Sequence, residues 1–109
     1  MLEKQREPQS WDIASILVEL ARIKVAQEKL SEADLHFWRA TAIARKVQGE
    51  SPIFSYNQAC YSALLKDRDK AIYFLKQAIA RGFDAKYKIA HDPDFASLHG
   101  DPEFEAIVK

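Results

Sequence analysis

The chain has 109 residues, with sixteen basic against sixteen acidic side chains, 48% apolar and 29% charged residues, and one cysteine. A domain of this length buries roughly 65% of its unfolded surface, so one continuous core forms without disulfide or metal staples. The balanced charge excludes a general pull toward nucleic acid or anionic lipid, and no apolar run approaches the ~20 residues of a membrane span.

Residues 1–9 form a polar lead-in or linker, with Pro8 as a breaker, too polar for a secretory signal. Ser10 is placed to cap a first helix, over about 11–27, whose apolar positions Trp11, Ile13, Ile16, Leu17, Leu20, Ala21, Ile23 and Val25 fall at three-and-four spacing. Glu28, Lys29 and Leu30 make the turn. Ser31, with Asp34 three residues on, has the form of a capping box for a second helix over about 32–47, which Gly49 would end in a left-handed conformation. Ser51 followed by Pro52 restarts the chain for a third helix to about Leu65, since proline costs nothing in the first helical position. Lys66, Asp67 and Arg68 form the next turn. A fourth helix ends at Gly82, and Asp84 caps a short one through Ile89. Asp92-Pro93 and Asp101-Pro102 repeat one start signal, aspartate at the cap and proline just inside. The short elements they open, carrying Phe95, Leu98, Phe104, Ile107 and Val108, are unstable alone and need a surface to dock on. With glycine scarce and no alternating β-branched runs, the reading is all-α.

Sliding the chain by 38 residues places Ala21 on Ala59, Ala33 on Ala71, Phe37 on Leu75 and Ala40 on Ala78. Small residues at matched sites let helices approach closely, and the large residue fills the space beside them. On these positions both halves resemble the tetratricopeptide repeat (TPR), a helix-turn-helix of 34 residues. The link around 48–52 is about four residues longer than the family's, Gln58 stands where repeat one has Leu20, and the closing proline is absent from both. The tail from His91 to Val108 resembles the closing segment that follows many bacterial TPRs, a degenerate third unit that covers the last repeat's apolar face.

The resemblance implies an all-α, TPR-like α-solenoid over residues 10–109. Repeat one covers about 10–49 and repeat two about 50–83. A short helical C-terminal cap covers 84–109. It also implies a concave groove lined by the first helix of each pair, at Ser15, Val18, Arg22 and Val25 in repeat one and Ile53, Tyr56, Cys60 and Ala63 in repeat two. Lys86 and Ile89 extend it. The spacing of three, four and three puts each set on one stripe. Val18 and Cys60 replace the polar residues with which one TPR subclass grips carboxylate-ended chaperone tails, so that activity is not implied. The expected ligand is a helix or extended peptide with apolar anchors and an acidic group for Arg22.

Catalysis is not expected. His36, His91 and His99 show no paired ligand spacing, the glycines are isolated helix stops rather than a phosphate loop, and aspartate before proline is explained by capping. Cys60, between Ala59 and Tyr61 in a helix, reads as a packing or groove residue, and an unpaired cysteine suits a reducing, cytoplasmic setting. Most of the aromatics Tyr56, Tyr61, Tyr73, Phe74, Tyr87, Phe95 and Phe104 belong to the core. The small basic patch Arg39, Arg45 and Lys46 stands against a neutral chain, so nucleic acid is not an expected partner; nor is a metal or cofactor. The function expected is non-catalytic protein–protein interaction as a scaffold, adaptor or assembly factor. The alternative is a C-terminal accessory or self-association module of a larger protein, with a homodimer as its sign.

Overall fold

The computed structural model describes residues 10–47 and 51–109. Among them every regular element is helical: α1 (Trp11–Ala26), α2 (Leu30–Lys46), α3 (Pro52–Leu64), α4 (Arg68–Ala80), α5 (Lys86–His91), a 3-10 segment (Pro93–Leu98) and α6 (Pro102–Val108). No helix among these residues is long and apolar enough to cross a membrane. The lead-in 1–9 and the expected stop at Gly49 lie outside the described residues.

Local chemistry sets most helix starts. Ser10 Oγ accepts from the Ile13 amide at 3.2 Å, and Ser51 Oγ accepts from the Phe54 amide at 3.1 Å with Pro52 just inside. Asp67 accepts from the Lys70 amide, Asp92 from the Asp94 amide, and Asp101 from the amides of Glu103 and Phe104. Each satisfies a donor that the first helical turn would leave unpaired.

Two expected caps are not used. The second helix begins at Leu30, and its cap residue Lys29 makes no side-chain bond, so Ser31 already lies within the first turn. The cause is the tightness of the preceding turn. Glu28 takes a left-handed φ of 62°, and the carbonyl of Lys29 at once accepts the Ala33 amide at 3.0 Å. Asp34, freed from capping, accepts the phenol of Tyr61 at 2.7 Å. Likewise Asp84 does not cap α5, whose cap residue is Ala85, again without a side-chain bond; the helix runs on past Ile89 to His91.

The two hairpin turns share one geometry. Glu28 and Lys66, 38 residues apart, have φ of 62° and 64°. Lys29 N donates to Lys24 O at 2.8 Å, and Asp67 N to Ser62 O at 2.9 Å. Both turns thus close by the bond pattern that ends a helix in a left-handed residue. The alanine pairs Ala21 and Ala59, Ala33 and Ala71, and Ala40 and Ala78 are all fully buried.

The interior has two apolar clusters. The first lies between α1 and α2 and is completed by Phe54 and Tyr61 from α3; Trp11 meets Phe54 at 5.3 Å between ring centroids, and Phe37 stacks on Tyr61 at 4.4 Å. The second joins α3 and α4 to Ile89, Phe95, Leu98 and Phe104. The short C-terminal elements therefore bury their large side chains on the second hairpin, each contributing roughly 1.5–3 kcal/mol. Ion pairs tie them at the rim. Arg68 holds Asp101 at 2.6 Å and Glu103 at 2.7 Å, and Lys76 holds Glu103 at 2.6 Å.

Candidate functional site

Helices α1 and α3 lie side by side, and the chain after α4 rises along one flank of the pair. The result is an open groove of about 820 Å³. One wall is α1, through Asp12, Ser15, Ile16, Glu19 and Arg22. The floor is α3, through Ile53, Tyr56, Asn57 and Cys60, and the far wall holds Phe83, Lys88 and Asp92. Beyond Arg22 and Glu19 it continues into a smaller hollow lined by Ile23, Ala26, Leu64 and Asp94.

Of the eight positions expected from sequence, Ser15, Arg22, Ile53, Tyr56 and Cys60 meet in this groove. The other three do not. Val18 is fully buried, Val25 packs beside it in the first cluster, and Ala63 lines a separate hollow under Leu98 and Asp101. Of the two suggested extensions, Ile89 is buried in the second core, and Lys86 bonds to the backbone oxygen of Lys109 at 3.1 Å. The expected stripe on α1 is only partly on the open wall, because Val18 and Val25 turn into the first cluster. Asp12, Ile16 and Glu19, missed from sequence, are the residues left on the open side. The apolar count along α1 shows more large residues than one packing face needs, and Ile16 was the legible sign of the surplus. Phe83 and Lys88 come from the C-terminal unit, whose path no local pattern discloses.

At the groove floor lies a polar tie. The Arg22 guanidinium pairs with Asp94, and the Tyr56 phenol donates to Asp92. Tyr56 is also stacked on Phe83 at 4.5 Å and meets the edge of Phe95 at 5.7 Å, with Lys88 Nζ 5.7 Å above its ring. Burial, then the bond to Asp92, push the phenol well above its ordinary range. Cys60 lies beside both carboxylates, with ligand atoms of the three residues within 4.8 Å of one another. Its thiol is pushed up by burial first and then by the charges of Asp92 and Asp94. The Arg22 cation already sits on Asp94, at the place a cation held by these three residues would take.

The tie changes the expected role of Arg22. Its guanidinium is engaged within the protein, with Glu19 a further 3.9 Å away, rather than offered to an incoming acidic group. Among the aromatics, Tyr56, Tyr61, Phe95 and Phe104 are core residues, whereas Tyr73 and Tyr87 are exposed.

An apolar row on α1 runs from the groove wall at Ile16 to its continuation at Ile23. Ile16 is 54% exposed, Leu20 37% and Ile23 52%. Thirty-eight residues on stand Phe54, Gln58 and Tyr61, and Phe54 and Tyr61 are only 3% exposed because they seat α3 on the first hairpin. The α1 row is thus the first hairpin's counterpart of an interhelical contact face. Neither a protein-family model, nor a curated protein, nor a solved structure matches this chain.

Proposed function

We propose that the chain is a TPR-like helical-repeat module whose function is non-catalytic binding of a peptide or helix from a protein partner. The observation that carries the reading is the open groove built from the first helix of each hairpin, with Ile16 and the 58%-exposed Ile53 offered to solvent on adjacent helices. Isolated apolar side chains on a surface need no explanation, but two on the wall and adjoining floor of a concave site are what apolar anchors of a ligand require. The matched turns at Glu28 and Lys66 and the three buried alanine pairs support the repeat reading. The burial of Cys60 and the capping roles of Asp92 and Asp101 support a site without catalysis.

The test is a displayed library of random peptides panned against the chain, with fluorescence anisotropy of the recovered peptides on the parent and on Ile53→Asn. The reading requires recovered peptides and loss of their binding when an uncharged polar side chain replaces the apolar one on the groove floor. No recovered peptide, or peptides that bind Ile53→Asn unchanged, would sink it.

A second reading, a self-association or accessory module of a larger protein, is favoured by the exposed α1 row of Ile16, Leu20 and Ile23. Its register counterpart on α3 is an interface, and an apolar row of that kind invites cover by another copy or another domain.

A further inference from the structure

Resting on the peptide-binding reading, we infer that the groove takes a basic ligand: a segment with apolar anchors flanked by lysine or arginine. The lining explains why. The groove and its continuation hold four carboxylates, Asp12, Glu19, Asp92 and Asp94, against two cations, Arg22 and Lys88. Arg22 is paired with Asp94 through its terminal nitrogen, and Tyr56 donates to Asp92, so those charges are engaged inward, although the buried Nε of Arg22 has no hydrogen-bond partner among the described residues. Lys88 lies over the Tyr56 ring on the far wall.

The charges turned to the open mouth on the α1 wall are Asp12 and Glu19. Both are exposed, and Asp12 has no ion pair among the described residues, while Glu19 reaches only the already engaged Arg22 at 3.9 Å. They stand seven residues apart, two helical turns or about 10.5 Å. Ile16 lies between them at four and three residues, on the same face. The wall therefore reads carboxylate, apolar, carboxylate. A matching ligand places an apolar side chain between two cations about 10 Å apart, as a helix does at seven-residue spacing. Charge complementarity of this kind selects the partner and speeds encounter more than it adds affinity.

The test uses peptides recovered from the random library and the variant Asp12→Asn/Glu19→Gln, whose changes fall on exposed positions. The expected result is enrichment of lysine and arginine around the apolar anchors. Neutralising the two carboxylates should weaken binding roughly three- to ten-fold at low salt, as two exposed ion pairs would, and flatten the salt dependence seen with the parent. Peptides enriched in aspartate and glutamate, or bound as well by the double variant, overturn the basic-ligand inference while binding that is lost on Ile53→Asn keeps the groove reading. Peptides indifferent to Ile53→Asn bring down both.

Discussion

The Arg22–Asp94 pair joins the first helix to the C-terminal unit, and its removal has a calculable cost. The two side chains are 28% and 14% exposed, between the surface and the buried limits. At about 4 Å and an effective dielectric near 20 the direct attraction is about 4 kcal/mol, and part of it is offset by the desolvation of both groups. Net values for hydrogen bonds to charged groups are about 1.5–3 kcal/mol. A coupling energy of about 1.5–2.5 kcal/mol is therefore expected between Arg22 and Asp94. Arg22→Ala, Asp94→Ala and the double variant close the thermodynamic cycle, measured by urea unfolding. Each single variant leaves a half-buried charge without its partner, so each should cost more than half of what the double variant costs. In thermal melts each should fall by several degrees, since 1 kcal/mol is about 4 °C for a domain of this size. If the costs of the single variants simply add, the pair contributes nothing, and Arg22 is a free cation after all. The acidic-ligand expectation would then return, and the basic-ligand inference would lose its premise.

Further outcomes test the frame around the groove. Ala71→Leu should cost roughly 1–3 kcal/mol, because a fully buried contact between helices has no room for three more carbons; thermal melts matching the parent would mean that the alanine register of the second hairpin is misread. Phe95→Ala removes a fully buried ring set against Tyr56 and Phe104 and should cost about 3–5 kcal/mol in urea unfolding, whereas a cost under 1 kcal/mol would show the C-terminal unit to be loosely attached. Acid unfolding should sense the rim of α6. Arg68 and the amides of Phe104 and Glu103 hold the Asp101 carboxyl down to about 2, and Lys76, then Arg68, lower Glu103. Depressed folded values mean that this stabilisation is present above the unfolded carboxylate range near pH 4 and is lost as the pH falls toward 2; Arg68→Met should flatten the urea midpoint over that interval, and an unchanged slope rules the linkage out. Light scattering over a concentration series should show a parent that associates and a Leu20→Lys/Ile23→Lys variant that does not, with equal melting at concentrations where the parent is monomeric because both sites are exposed; a parent that stays monomeric at all concentrations removes the self-association reading.

Much of the local architecture was legible because it rests on short-range chemistry. Ser10 and Ser51 cap helices for the reason their hydroxyl suggests, and the two Asp-Pro signals open the two last elements. The alanines matched at the 38-residue shift are the buried helix contacts. Where sequence reasoning failed locally, at Ser31 and Asp84, a neighbouring turn had already placed the helix start elsewhere, and capping preference is too weak to move it.

The groove was legible only in part. Helical periodicity identifies which residues of α1 share a face, so Ser15 and Arg22 could be placed together. It does not say how far the helix is rotated about its axis, and that rotation sends Val18 and Val25 inward and leaves Asp12, Ile16 and Glu19 on the open wall. Nor does it reveal bonds between residues far apart in the chain. Arg22 and Asp94 are 72 residues apart, and Tyr56 and Asp92 are 36 apart. Read singly, Arg22 was a cation awaiting a ligand and Asp92 a helix cap. Composition and periodicity sufficed for an all-helical chain with two like turns, because those features are decided by neighbours within a few residues. Which charges remain free for a partner was decided by tertiary structure alone, since an ion pair depends on where the whole fold carries its two ends.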